Sequence, residues 1–305
     1  MGYQPFRVTV KDHHRVSPHF IRVTFAGEQL ADFGPAGNAY DLRIKLLFPN
    51  ASGELPDIPA GANWYEAWCS LPESERGPLR TFSVRELTRS AQETTLTVDF
   101  VNHLGDEDLG PAATWALHAS AGDELIIIGP DLNDDSGSGI EFAPTSSRQV
   151  RLFGDETAAP AIARILEDLP DDAYGEATIE VPISADILNI AAPEGVLVRW
   201  VPRNGSEHGS RLKQALSDLL GPANEATPAP VATEQSPLVW ETPRFSANGE
   251  PIIAKQEHQH RPYYWIAGES GMVICLRRQL IRGHGIDRSN VSFMGYWKHG
   301  VAMGG

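Results

Sequence analysis

From residue 6 the chain alternates apolar and polar positions with period two. Phe6-Arg-Val-Thr-Val10 is followed, after the charged stretch Lys11–Arg15, by Phe20-Ile-Arg-Val-Thr-Phe25. That period predicts two half-buried strands with a turn over Lys11–Arg15. Asp41–Phe48 predicts a third strand, ended by Pro49-Asn50, and loops rich in Pro and Gly follow at 51–61 and 71–78. Strands are predicted again at Leu79–Arg85, Thr94–Val101 and Glu124–Ile128. Six short strands separated by turns indicate an antiparallel β-barrel or sandwich. One helix interrupts them over Gly110–Ala119, with Pro111 in its first turn.

After residue 140 the pattern changes. Strands are predicted at Gln149–Phe153, Ala177–Val181, Gly195–Val201, Tyr263–Ala267 and Val291–Tyr296. Helices are predicted at Ala158–Leu169, Ser206–Leu220 and Met272–Gly283. Strand–helix alternation implies a doubly wound, mostly parallel α/β domain, whose ligand sites lie at the carboxyl ends of the strands. The expected organisation is therefore an N-terminal antiparallel β-barrel over 1–140 and an α/β domain over 141–305. Residues 221–262 break the alternation and form an insertion, either a lid or a mobile excursion.

Composition narrows the function classes. The 305 residues carry a formal net charge of −15, which argues against nucleic-acid binding and against anionic membranes. The two cysteines, Cys69 and Cys275, are too few for a disulfide framework and lack zinc spacing. The first thirty residues hold no apolar signal segment and no run reaches membrane-spanning length, so a cytoplasmic protein without stable membrane insertion is expected.

The most informative stretch for chemistry is Arg80-Thr81-Phe82-Ser83. On a strand, Arg80 and Phe82 share one face and Thr81 and Ser83 the other. An arginine can fork onto a pyrophosphate, an aromatic ring can pack on a planar ring system, and a serine can hydrogen-bond a ring nitrogen, a set that suits a flavin. An ordinary strand with a solvated arginine is the alternative. The Gly110-Pro111 helix start offers free N–H groups and the positive dipole end to a phosphate, or else the helix simply packs on the barrel.

Other stretches exclude chemistry. Asp131–Gly139 imitates a calcium loop, but Ser136 and Phe142 stand where glycine and glutamate are needed, so it reads as a linker. Gly154-Asp155-Glu156-Thr157 is not a Gly-x-Gly-x-x-Gly turn, and its two acids would repel a pyrophosphate. Gly268-Glu269-Ser270-Gly271 falls short of a nucleophile elbow, and Glu269 reads as a helix cap. His13 and His14 read as exposed loop residues, and His258 and His260 lack the further ligands a metal site needs. Arg199, Arg203 and Arg211 could meet a 2′-phosphate or be solvated loop residues.

Taken together, several segments resemble the siderophore-interacting proteins, flavin-dependent ferric-siderophore reductases of the ferredoxin-reductase-like superfamily. They are Arg80-Thr-Phe-Ser83, Val98-Asp-Phe-Val101 with His103, Gly110-Pro-Ala-Ala-Thr-Trp-Ala116, Gly122-Asp123 with Gly129-Pro130, Gly154-Asp-Glu-Thr-Ala158, Ala267-Gly-Glu269 and Gly295-Tyr-Trp-Lys298. The resemblance implies an FAD-binding barrel followed by a nicotinamide-binding α/β domain. It implies that Arg80 pairs with the FAD pyrophosphate, Phe82 packs on the flavin, and Thr81 and Ser83 flank it, Ser83 near N5. Asp99, Phe100, Val101 and His103 would line the adenosine and ribityl side. Gly110, Ala112, Ala113 and Thr114 would hold phosphate. Asp155 and Thr157 would edge the flavin and the nicotinamide, and Lys45 and Lys298 would meet the siderophore. The implied reaction is reduction of a ferric siderophore with electrons from NADH or NADPH through FAD. The alternatives are a ferredoxin donor, another acceptor, or a siderophore carrier without turnover. Relatives often place an arginine where this chain has Asp131, a departure that disfavours tris-catecholates and favours hydroxamate or mixed siderophores.

Overall fold

The N-terminal alternation builds a seven-stranded antiparallel sheet. The computed structural model describes residues 2–61, 63–102, 110–144, 146–221, 239–243 and 261–301. The chain divides into two compact units at Ile140/Glu141. The first holds β1 (Gln4–Ser17), β2 (Phe20–Ala26), β3 (Arg43–Leu47), α1 (Trp64–Ser70), β4 (Leu79–Ser83), β5 (Glu86–Arg89), β6 (Thr94–Val101), α2 (Pro111–His118) and β7 (Glu124–Gly129). The strand order is β4-β3-β7-β1-β2-β6-β5.

The two end strands of that order, β4 and β5, are consecutive in the chain, so the sheet must curl. The link between them makes the curl. The Val84 N–H donates to Leu42 O beside β3, and the Arg85 N–H donates to Thr97 O in β6. The result is the curled, half-barrel sheet expected from the short alternating strands. Inward residues such as Val8, Val23, Phe25, Ile44, Leu46, Val98, Phe100 and Ile127 form its buried core.

Lys11–Arg15 is not a turn. β1 runs through it, with a register shift between Val10 and Asp12, and the hairpin turns at Pro18-His19, where Ser17 faces Phe20. A polar stretch on a strand marks exposure as readily as it marks a bend. His13 is also more than a loop residue, since its Nε2 lies 2.7 Å from Ala116 O of α2.

The second unit holds β8 (Gln149–Gly154), α3 (Ala159–Asp168), β9 (Tyr174–Val181), β10 (Gly195–Pro202), α4 (Ser210–Leu220), β11 (Trp240–Glu241), β12 (Tyr263–Glu269), α5 (Ser270–Arg278) and β13 (Val291–Trp297). The strand order is β10-β9-β8-β12-β13-β11, parallel except for β11. Between β9 and β10 a short 3-10 turn, Ser184–Asp186, replaces a crossover helix. The predicted helix 272–283 is α5 continued by a π-helical turn, Gln279–Gly283. Of the 221–262 insertion, 222–238 and 244–260 lie outside the described residues, and Trp240–Glu241 adds the antiparallel edge strand.

The strand order reverses between β8 and β12. Right-handed crossovers running in opposite directions from there place α3 and α5 on opposite faces. α4 and α5 bury Leu212, Leu216, Met272, Val273 and Leu276 against Phe153, Tyr264, Ile266 and Phe293. A reversal of strand order leaves a crevice at the carboxyl edge, here at Gly154 and Ala267–Glu269. Among the described residues no helix is long and apolar enough to cross a membrane.

Candidate functional site

In the first unit the candidate residues gather on β4, the end of β6 and the start of α2. Arg80 lies opposite Leu46 and Phe82 opposite Ile44, while Thr81 faces Lys45 and Ser83 faces Arg43. Arg80 and Phe82 therefore share the inner-facing register and Lys45 belongs to the other face with Thr81. Lys45 Nζ is 3.3 Å from Thr81 Oγ1. Partial burial first, and Arg43 second, push the Lys45 ammonium below its ordinary pKa.

Arg80 is half-buried, and burial lowers its pKa. Among the described residues its guanidinium bonds only to the neighbouring Leu79 carbonyl, at 2.9 Å. A partly desolvated guanidinium without an acid is an anion site in waiting. The ring of Phe82 is half-buried, tilted against Phe100 with centroids 4.7 Å apart.

Phe100 is fully buried among Phe48, Phe82 and Trp115, so its ring supports Phe82. The Asp99 carboxylate is buried and forked by Arg22 at 2.7 and 2.7 Å. Val101 ends β6 opposite Phe20. His103 lies outside the described residues.

The α2 start suits a phosphate. Gly110 is exposed, with open space where a side chain would stand. The first intrahelical bond is from the Thr114 N–H to Gly110 O, so the Ala112 and Ala113 N–H groups have no helical acceptor. Pro111 has no N–H to leave unpaired. Arg80 and this helix start together supply what a pyrophosphate needs, and among the described residues neither is bonded to a protein acid. The residues present fit FAD.

In the second unit the residues at the crevice form a network of buried charges. Asp155 at the end of β8 is fully buried. Its Oδ1 accepts the Thr157 N–H at 2.9 Å and the Thr157 hydroxyl at 2.5 Å. Its Oδ2 accepts the Glu269 N–H from β12 at 2.7 Å and the Trp297 Nε1–H from β13 at 3.0 Å. His208 Nε2, ahead of α4, lies 3.2 Å from the same oxygen. Gly268 makes this approach possible, since a Cβ there would lie 2.6 Å from the Asp155 carboxyl carbon.

Next to it, buried Glu156 is forked by Arg203 at 2.6 and 2.8 Å. Arg203 also reaches buried Glu180 at 3.3 Å. Glu180 in turn accepts the N–H groups of Gly209, Arg211 and Leu212, at 2.6, 3.0 and 3.3 Å. Asp155, Glu156 and His208 are close enough to share a metal ion. Every oxygen of the two acids already faces a proton donor, which makes the group an ion-pair network.

Two expectations change here. Both Asp155 oxygens are taken by donors of the chain itself, and Thr157, whose hydroxyl donates to one of them, is half-buried beside it. Arg203 is committed to two glutamates and Arg199 lies 3.5 Å from Glu176, which leaves exposed Arg211, bonded to Ser206 Oγ at 3.0 Å. Asp131 also differs from expectation. It is buried, pairs with Phe33 in an isolated bridge, and accepts the Asn133 N–H at 2.7 Å and Gln4 Nε2 at 3.3 Å. It is part of a built turn at the end of β7, and its charge gives no argument about siderophore type. Lys298 follows β13 and is half-buried.

Sequence reasoning missed His208, Trp297 and Glu180, and read Arg203 as a phosphate-binding or solvated residue where it pairs with two glutamates. A signal existed: two acids at a strand end need counter-charges, and Arg203 and His208 follow β10 within the same sheet.

Burial pushes the Asp155 carboxyl up. The His208 cation, with hydrogen bonds from Thr157 and the Glu269 N–H, outweighs that and holds it below its ordinary range. Burial likewise pushes His208 down, but Asp155 and then Glu156 hold it above its ordinary value against Arg203. A raised histidine stabilises the fold fully below its unfolded value of about 6.5 and loses that contribution as pH rises through the folded pKa. Stability of the second unit is therefore expected to fall on going from pH 6 to pH 9. The His208→Gln variant should show a flatter profile and a lower urea midpoint at pH 6. Equal slopes for the two proteins would refute the linkage.

Comparison with known proteins follows the same division. The model of the siderophore-interacting FAD-binding domain matches residues 9–134, and that of the siderophore-interacting protein matches residues 147–300. The chain is 30% identical to the ferric vibriobactin reductase ViuB of Vibrio cholerae over 93% of its length and 86% of that protein. It is 28% identical to the NADPH-dependent ferric-chelate reductase of Escherichia coli over 68% of its length and 75% of that protein. Among solved structures, the siderophore-interacting protein SipS of Aeromonas hydrophila aligns with a TM-score of 0.64 at 28% identity, covering 97% of this chain and 99% of that one. A siderophore utilization protein from T. fusca aligns at 0.66 and 26% identity, covering 98% and 95%. The curled sheet of the first unit, the α/β sheet of the second and both family models agree: the chain belongs to the siderophore-interacting protein family and carries that family's FAD-binding domain.

Proposed function

We propose that the protein reduces ferric siderophores with electrons from NADH or NADPH and releases Fe(II), by way of FAD. The observation that carries the reading is Arg80, a half-buried guanidinium with no acid partner among the described residues, on the strand that holds Phe82, inside a family FAD-binding domain. The names of the Vibrio cholerae and Escherichia coli relatives support a ferric reductase, and the latter supports a nicotinamide donor. Bound FAD would accept a hydride and pass electrons one at a time to iron. One nicotinamide thus reduces two ferric complexes and releases one proton. Fe(II) is held more weakly by hard oxygen ligands, so the metal leaves.

In this reading Arg80 holds the pyrophosphate together with the Ala112 and Ala113 N–H groups and Thr114 at the Gly110 helix start. Phe82 packs on the flavin, and Thr81 and Ser83 flank it. Asp99 acts through Arg22, Phe100 acts through Phe82, and Val101 and His103 contribute beside the adenosine. Thr157 meets the ligand and Asp155 holds the turn that presents it. Lys45 and Lys298 attract the anionic siderophore. The overall charge of −15 favours a hydroxamate or mixed siderophore over a tris-catecholate of charge about −3. A cytoplasmic location goes with this role.

The test is anaerobic. FAD-loaded protein is mixed with NADH or NADPH and flavin bleaching is followed. A ferric hydroxamate, and separately a ferric tris-catecholate, is then added with a ferrous trap. Bleaching, reoxidation and trapped Fe(II) are expected. Protein that stays oxidised with both nucleotides but turns over with reduced ferredoxin would replace the donor. Protein that binds the siderophore without any turnover would replace the enzyme by a carrier.

A further inference from the structure

Three helices begin at the carboxyl edge of the second unit's sheet, where a doubly wound domain ordinarily receives a dinucleotide. Each start engages an acidic residue of the chain itself, through its side chain or its main-chain carbonyl. At α3 the Thr157 N–H goes to Asp155 Oδ1, the Ala158 and Ala159 N–H groups go to Asp155 O at 3.0 and 3.1 Å, and Pro160 has none to give. At α4 the Gly209, Arg211 and Leu212 N–H groups all go to Glu180. At α5 the Met272 N–H goes to Glu269 Oε2 at 2.8 Å.

The same acids set the local charge. Asp155, Glu156, Glu180 and Glu269 bring four negative charges, and Arg203 and His208 bring two positive ones. A pyrophosphate would meet engaged donors at α3 and α4 and, within this network, an excess of negative charge. Helix ends hold phosphate only when their N–H groups and dipoles are free for it.

We infer that Asp155, Glu180 and Glu269 are specificity-determining residues that close this edge to the pyrophosphate of a dinucleotide, so that a hydride donor is recognised through its nicotinamide ribotide half. The inference rests on the proposed nicotinamide-dependent reduction. It implies that NADH, NADPH and reduced nicotinamide mononucleotide, which lacks the whole ADP half, serve comparably.

Two measurements on the FAD-loaded full chain test it. In the first, the second-order rate of flavin bleaching is compared for the three donors. Rates within tenfold of one another are expected, and an advantage of more than tenfold for either dinucleotide overturns the inference. In the second, the protein is titrated calorimetrically with ADP-ribose and with 2′,5′-ADP; the resident FAD keeps the flavin's own phosphate site filled. No saturable binding up to millimolar concentration is expected, and saturable binding below that overturns the inference. Should none of the donors bleach the flavin, the nicotinamide step of the proposed function fails, while the titration still decides whether the edge is closed.

Discussion

Arg80→Ala is expected to weaken FAD binding by roughly 10- to 150-fold, equivalent to about 1.5–3 kcal/mol for lost hydrogen bonds to a charged group. The fold should survive. Arg80 is half-buried on an end strand of the sheet order, and its only described bond is to its neighbour's carbonyl. Among the described residues, removing it orphans no acid. Arg80→Lys restores the charge but not the two-pronged fork, so it should recover only part of the loss. Flavin fluorescence on titrating FAD into apoprotein reads the affinity, and circular dichroism reports the fold. Wild-type affinity in a folded Arg80→Ala protein would remove Arg80 from the cofactor site and with it the main support for the proposed function.

The second large effect is on stability. Arg203 is the counter-ion of two carboxylates with side-chain exposures of 1% and 0%. Arg203→Ala leaves Glu156 and Glu180 buried and under-compensated, and breaking a buried pair in this way costs about 3–5 kcal/mol. That is a large share of the roughly 5–15 kcal/mol that holds a domain folded. The melting transition of the second unit should fall by roughly 6–20 °C at about 2–4 °C per kcal/mol. Adding Glu156→Gln should return part of the loss, because the penalty comes from the stranded charge. A shift of under 2 °C for Arg203→Ala would mean that Glu156 and Glu180 are solvated or neutral in the folded protein.

Much of the architecture was legible because it depends on periodicity. Period-two stretches became β2, β6 and β7, and the later alternation became the parallel sheet. What failed depends on the partner and not on the stretch. The polar run Lys11–Arg15 pairs with Ile21–Thr24 and stays in the strand, a fact set by β2. Trp64–Ser70 forms α1 although it stands in a loop-like region, because Trp64 and Trp68, one turn apart, bury against Leu47, Leu79 and Ile126. The candidate site divides in the same way. Arg80, Phe82 and the Gly110 helix start are contiguous motifs with local geometry, so their placement on a strand and at a helix start could be read directly. The Asp155 network draws on β8, β12, β13 and the loop before α4, and no linear spacing joins those four. Asp99 and Phe100 were read as ligand residues, but Arg22 and the core claim their side chains, because residue type alone does not say which neighbour reaches it first.

The strand order of the second sheet also has a consequence for how the chain is made. β8 can pair with β9 soon after both emerge from the ribosome, but its other edge waits for β12, which follows the whole of residues 195–262. Until then the apolar strand Val150-Arg-Leu-Phe153 presents an unpaired edge, and Asp155 lacks the Trp297 Nε1–H and the Glu269 N–H. The first unit suffers no such delay, because all seven of its strands lie within residues 4–129. Vectorial synthesis should therefore give a folded flavin-binding half that waits beside a late-closing α/β half, and misfolding should begin at the open edge of β8.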